Sequence, residues 1–111
     1  MTEIGRAATL FALAGLAEIA GGWLVWQWLR VDRPWPFGLV GALVLVLYGV
    51  IPTFQEESHF GRVYAAYGGV FVVLSIGWGM LIDDWRPDRW DYIGAALCLA
   101  GVSVIMFAPR P

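Results

Sequence analysis

Three stretches of this chain, residues 36–54, 63–82 and 92–108, contain no charged side chain, and a fourth, residues 7–29, contains only Glu18. At about 1.5 Å of rise per helical residue they reach roughly 26–35 Å, against a bilayer hydrocarbon core of about 30 Å. A helix across that core also satisfies its own backbone N–H and C=O groups, which lipid cannot do. Composition points the same way: 59% of the residues are apolar and 14% charged, whereas soluble domains average about 45–50% and 25%. A soluble chain this short could not hide so much apolar surface from water. The expected architecture is an all-α membrane protein, one domain over residues 1–111, with four transmembrane helices and the lipid bilayer as its first partner.

The connections, residues 30–35, 55–62 and 83–91, are too short for a soluble domain. Trp23, Trp26, Trp28 and Trp35 crowd the first and Trp85 and Trp90 the third, as in the aromatic belts at headgroup level. Residues 55–59, Gln-Glu-Glu-Ser-His, read as a solvated loop. The first apolar run exceeds the roughly 7–15 residues of a signal peptide and lacks a strongly basic flank, so it reads as a retained helix. All seven cations are arginine. With both termini inside, Arg6, Arg62 and Arg110 face inward and Arg30, Arg33, Arg86 and Arg89 outward, too even a count to fix one orientation. A net charge of −2 gives no reason to expect nucleic acid binding. The single cysteine, Cys98, and single histidine, His59, offer neither a disulfide nor a metal cluster. No cofactor is expected.

Glu18 is the most informative residue. An ionised side chain in the middle of a membrane helix costs on the order of 2.5–3.5 kcal/mol on insertion scales. No basic residue lies within any span to pair with it. The acid must be protonated, sit in a wet cavity, or meet a partner brought by a ligand or a second subunit. Low dielectric disfavours its charged form and a second acid nearby disfavours it further, so such a group can exchange a proton for a cation. One turn either way, Ala14, Gly15, Gly21 and Gly22 share its face. They either clear space around the carboxyl group or let another backbone approach closely.

On the third span Tyr64, Tyr67, Phe71, Ser75 and Trp78 fall on one helical face. Such a stripe is ordinarily packing, but beside an unpaired carboxylate its ring faces can attract organic cations. Gly68-Gly69 offers a bend, and Pro52, lacking a donor for the Tyr48 carbonyl, offers a kink in the second helix. On the fourth span Gly94, Cys98, Gly101 and Ile105 share one face, with Ala96 and Ala100 as a second small pair. A dimer contact and packing within one subunit would use the same residues.

The runs Ala17-Glu18-Ile19-Ala20-Gly21, Tyr64-Ala65-Ala66-Tyr67-Gly68-Gly69 and Gly94 to Val102 resemble the small multidrug resistance superfamily. More closely, Gly61-Arg62-Val63-Tyr64-Ala65-Ala66-Tyr67-Gly68-Gly69-Val70 resembles the YnfA family, a branch found in the bacterial inner membrane, and the resemblance covers the whole chain. It implies four-helix subunits paired as antiparallel, dual-topology homodimers, with Glu18 binding protons and cationic substrate in competition. It implies that Tyr64 lines the site, that Tyr67 stands where drug exporters carry tryptophan, and that the fourth helix makes a dimer contact. Arg62 is typical of the family and is a candidate gate or anchor. The chain departs from relatives in having Trp26, Gln27, Trp28 and Arg30 where many have a lysine. It also has no hydroxyl residue in the second span before Thr53 to orient the acid, which leaves the substrate open.

The expected function is proton-coupled export of small or hydrophobic cations. Gly15, Gly22, Phe71, Ser75 and Trp78 are candidate pocket-lining residues around Glu18, Tyr64 and Tyr67. Rival readings are a non-transporting membrane subunit whose acid cements assembly, and a passive ion channel. An enzyme is least expected, because no nucleophile, base or metal cluster accompanies the acid.

Overall fold

A computed structural model describes residues 3–56 and 59–109, the first two of them by backbone alone. Glu57 and Ser58 of the middle connection and Arg110 lie outside the described residues. Four helices run in order, α1 (Glu3–Leu29), α2 (Trp35–Val50), α3 (Phe60–Leu81) and α4 (Arg89–Phe107), and there is no strand among the described residues. A 3-10 turn, Ile51–Phe54, prolongs α2. With that turn counted, all four are long and apolar enough to cross a membrane.

The chain divides between Glu56 and Glu57 into two compact units, each a helical hairpin. In the first, α1 and α2 meet where glycines remove the side chains between them. A Cβ built on Gly41 would stand 2.9 Å from the Gly21 carbonyl oxygen and 3.0 Å from side-chain atoms of Leu24 and Val25. One on Gly21 would stand 2.7 Å from Leu45 Cγ. The Trp28 ring occupies the place where a Gly38 side chain would project, so this tryptophan is a packing residue as well as a belt residue. At the other end of the hairpin, Arg6 Nη2 donates to the Phe54 carbonyl at 3.3 Å and Gln55 Nε2 to the Ala7 carbonyl at 3.2 Å. Gln55 is therefore half-buried structure and not part of a wholly solvated loop.

In the second hairpin α4 seats on α3 at Gly69, whose Cβ would meet Val102 Cγ2 at 2.9 Å. The Gly68-Gly69 pair does not break α3, which is continuous from Phe60 to Leu81; Gly69 is small because Val102 needs the room. Pro52 likewise does not kink a continuing α-helix. It is buried in the 3-10 turn at which the α-helical pattern of α2 stops, as a missing donor in an α-helix favours.

The two hairpins close alike. After α1, Asp32 is left-handed (φ 61) and the Arg33 N–H returns to the Gln27 carbonyl at 3.0 Å. After α3, Asp84 is left-handed (φ 54) and the Trp85 N–H returns to the Gly79 carbonyl at 2.9 Å. Aspartate tolerates that conformation better than most residues. α4 starts on a reciprocal cap: the Asp88 carboxylate accepts from the Trp90 and Asp91 amides at 2.9 and 3.0 Å, and the Asp91 carboxylate accepts from the Asp88 amide at 2.9 Å. This is a capping box with aspartate in place of the usual glutamate.

The apolar core is small, comprising Ala14, Ala17, Val63, Ala66 and Tyr67, while Leu39, Leu43, Val46, Leu97, Val104 and Phe107 are exposed. In water such a surface would aggregate. In lipid it is the solvated face.

Candidate functional site

Glu18 lies near the middle of the α1 span, Gly5–Leu29, about 16–20 Å of helix from either end. It is half-buried, and its carboxylate makes no hydrogen bond or ion pair among the described residues. Three hydroxyls elsewhere in the spans bond back to their own helix. Thr9 Oγ1 donates to the Gly5 carbonyl at 2.8 Å, Thr53 Oγ1 to Val50 at 2.6 Å and Ser103 Oγ to Leu99 at 2.7 Å. A carboxylate has no such recourse, because it can only accept.

The small residues around the acid divide by role. Ala14, Gly15, Ala17 and Gly21 are buried, and Gly21 is spent on the close approach of α2. Gly22 is exposed, and nothing lies within 4 Å of where its Cβ would stand. From it a trough of about 290 Å³ runs along α1, lined by Gly22, Val25, Trp26, Leu29 and Arg30. Glu18, Gly22, Val25 and Leu29 share an arc of about 60° at 100° per residue. The trough therefore continues the face on which the acid stands. At its far end the Arg30 guanidinium lies over the Trp26 ring, 5.2 Å from the centroid.

The second hairpin carries the aromatic stripe. Tyr67 is only 2% exposed and Tyr64 is half-buried, their rings edge to face at 6.1 Å. Phe60 stacks on Tyr64 at 4.1 Å and lies on the same face. Its place in the stripe is not legible from the sequence because Arg62 interrupts the apolar run. Phe71, Ser75 and Trp78 continue the face, all half-buried. Ser75 Oγ is buried without a hydrogen-bond partner among the described residues, in contrast to the self-satisfied hydroxyls above. Arg62 sits in the first turn of α3, where the helix dipole disfavours a cation, so helix electrostatics does not account for its place.

On α4, Gly94, Cys98, Gly101 and Ile105 are all exposed, as are Ala96 and Ala100. Gly94 and Gly101 would meet nothing within 4 Å with a Cβ added. Packing on α3 uses a neighbouring face, through Val102. A second groove of about 270 Å³ lies between α3 and α4, lined by Ala66, Gly69, Val70, Val73, Leu74, Leu99, Val102 and Ser103. No group of three His, Cys, Asp or Glu side chains that could hold a metal is found among the described residues.

The relatives agree with a membrane chain of this size. A UPF0060 membrane protein of Desulfitobacterium hafniense is 60% identical over 105 residues, 95% of this chain and 97% of the relative. The UPF0060 membrane protein YfjF of Bacillus subtilis is 61% identical over 101 residues, 91% and 93% of the two chains. One from Herpetosiphon aurantiacus is 59% identical over 109 residues, 97% and 99%. No solved structure matches. The family model described as "Uncharacterised BCR, YnfA/UPF0060 family" matches residues 4–111, and with four membrane-length helices and relatives of this identity the chain belongs to that family of multi-pass bacterial membrane proteins.

Proposed function

We propose that this protein is a proton-coupled exporter of small or hydrophobic cations, working as an antiparallel homodimer by alternating access. The observation that carries the reading is Glu18: an acid at mid-membrane depth, half-buried and without a protein partner among the described residues. Membrane-embedded acids of this kind serve ion and proton pathways by default, and transporter sites commonly lie at the midplane. A carboxylate there binds either a proton or a cation, and the exclusion of one by the other couples the two fluxes.

Tyr64 and Tyr67 contribute ring faces to the cation, with Phe71, Ser75 and Trp78 lining the same path. Ser75 Oγ supports this, since leaving a hydroxyl buried and unsatisfied costs about 1–3 kcal/mol that a polar ligand atom would offset. The exposed face at Gly94, Cys98, Gly101 and Ile105 supports a contact between α4 helices of two copies, which small residues allow. Arg62 acts as a gate or as an interfacial anchor. The near-even arginine count supports insertion in both orientations.

The test is solid-supported-membrane electrophysiology on proteoliposomes, screened with guanidinium compounds and quaternary ammoniums. Glu18→Gln keeps size and hydrogen bonding but can neither release a proton nor pair with a cation. It is expected to abolish coupled currents while leaving folding and dimerisation intact. A Glu18→Gln protein that still moves substrate against its gradient would sink the coupling model, and one that no longer folds or dimerises would assign the acid to assembly. Cysteine reporters at both termini are expected to label from both sides of the membrane; labelling from one side only removes the dual topology.

A further inference from the structure

The trough on α1 is a strip of one helix face. Gly22, Val25, Trp26, Leu29 and Arg30 follow one another at spacings of three and four residues and so lie in one continuous stripe. Gly22, Trp26, Leu29 and Arg30 are exposed, and nothing lies within 4 Å of where the Gly22 Cβ would stand. From Gly22 to Leu29 the strip runs about 10 Å along the helix, roughly the outer third of a hydrocarbon core about 30 Å deep. Its outer end is positive. The Arg30 guanidinium lies over the Trp26 ring and makes no hydrogen bond or ion pair among the described residues. The Trp26 and Gln27 carbonyls that end α1 already accept the backbone amides of Arg30 and Arg33, at 2.8 and 3.0 Å. The turn itself, residues 30–34, holds two arginines against one aspartate.

We propose that this strip holds an anionic phospholipid, its phosphate on Arg30 and one acyl chain along Leu29, Val25 and Gly22. Charge complementarity names the occupant. A planar guanidinium resting on an indole ring is set for bidentate contact with a phosphate, and the apolar strip beneath it lies at the depth of the lipid's own tails. A protein partner covering the strip would take the guanidinium out of water and owe it a carboxylate, whereas a phospholipid brings the anion and the tail together. A zwitterionic lipid offers the same phosphate, but its ammonium meets a turn of net positive charge. The site is separate from the membrane acid, since Glu18 does not line the trough.

The test titrates the full chain in mild detergent with phosphatidylglycerol and phosphatidylcholine of identical acyl chains, and reads dissociation constants by native mass spectrometry. The unaltered protein is expected to prefer phosphatidylglycerol about fivefold, roughly what one arginine adds at an anionic surface. Arg30→Gln is expected to erase that preference. Arg89→Gln removes the same charge in the other hairpin, where the Arg89 guanidinium lies 4.8 Å from the Trp90 ring centroid, and is expected to leave the preference within about twofold. Gly22→Leu fills the inner end of the trough and is expected to weaken both lipids by about fivefold, as lost contact with one or two methylenes implies, with the ratio between them intact. Where the leucine variant does not fold, equimolar phosphatidylglycerol carrying a diazirine on its acyl chain locates the site in the unaltered chain, and labelling is expected to concentrate on residues 22–30. An unchanged preference in Arg30→Gln, an equal loss of it in Arg30→Gln and Arg89→Gln, or labelling spread evenly over the four helices would each overturn the proposal. So would a dimer that carries no phosphatidylglycerol where the monomer does, because that result gives the strip to a second copy.

Discussion

Gly41→Ala tests whether the α1–α2 seam is packed as described. The added methyl would stand 2.9 Å from the Gly21 carbonyl oxygen and 3.0 Å from both Leu24 Cβ and Val25 Cγ2. Two of those atoms, the Gly21 oxygen and the Leu24 Cβ, belong to backbone or to its first side-chain carbon and cannot swing aside. The helices must separate by a few tenths of an ångström along the crossing. Overpacking of this kind costs about 1–3 kcal/mol, and replacing a mid-helix glycine by alanine returns roughly 0.5–1 kcal/mol. The net loss expected is about 1–2 kcal/mol, or roughly a 5–30-fold fall in the folded-to-unfolded ratio. Gly49→Ala is the matched control, because it lies on the same helix with nothing within 4 Å of its Cβ position and should gain the propensity term alone. Reversible unfolding in mixed micelles, followed by circular dichroism, measures both. The two variants should differ by about 2 kcal/mol, and Gly21→Ala combined with Gly41→Ala should be non-additive, since both act on one crossing. Equal stability of Gly41→Ala and Gly49→Ala would refute the seam.

Further outcomes are expected elsewhere. Asp88→Ala removes the acceptor for two amides at the start of α4 and should cost about 0.5–2 kcal/mol, with hydrogen exchange accelerating first at Trp90 and Asp91. Asp32→Val places a β-branched residue at φ 61 and should cost about 1–2 kcal/mol by thermal unfolding, while Asp32→Gly should not. Tyr67→Ala should weaken binding of quaternary cations by about 1–2 kcal/mol and Tyr67→Phe by much less, by calorimetry, if ring faces hold the cation. Cation affinity should fall as pH drops through the titration of Glu18, since the neutral acid attracts a cation far less, and in Glu18→Gln the pH dependence should vanish.

The four helices were legible because the membrane allows few alternatives: a charge-free run of that length has one economical backbone solution. Glycines were harder to read. Gly21 and Gly22 are neighbours of identical chemistry, yet one holds α2 against α1 and the other opens a trough, and only the tertiary neighbour decides which. Gly69 reads as a place for α3 to bend and is also the seat for Val102, for the same reason. Pro52 announced an interruption but not its kind, because a missing donor is compatible with a kink or with a 3-10 ending. Phe60 lies outside the charge-free run because Arg62 interrupts it, although an arginine in a first turn can leave the helix running past it. The Asp88–Asp91 cap was present as an acidic pair three residues apart and was masked by the other charges of that connection. Gln55 gave no local sign of its reach back to Ala7, forty-eight positions away.

The matched closures at Asp32 and Asp84 bear on how the chain enters a membrane. Residues 30–34 leave no slack between α1 and α2, and the returning amide of Arg33 ties the turn to the helix it has just left. Two helices joined so closely cross as a pair or not at all, because parking one in water while the other inserts would strand an apolar helix beside a turn too short to release it. The second pair is clasped in the same fashion. Each of these turns holds two arginines, Arg30 and Arg33 in one and Arg86 and Arg89 in the other. A single arginine moved from a turn to the far end of its hairpin would halve the positive charge that the positive-inside rule weighs at that turn.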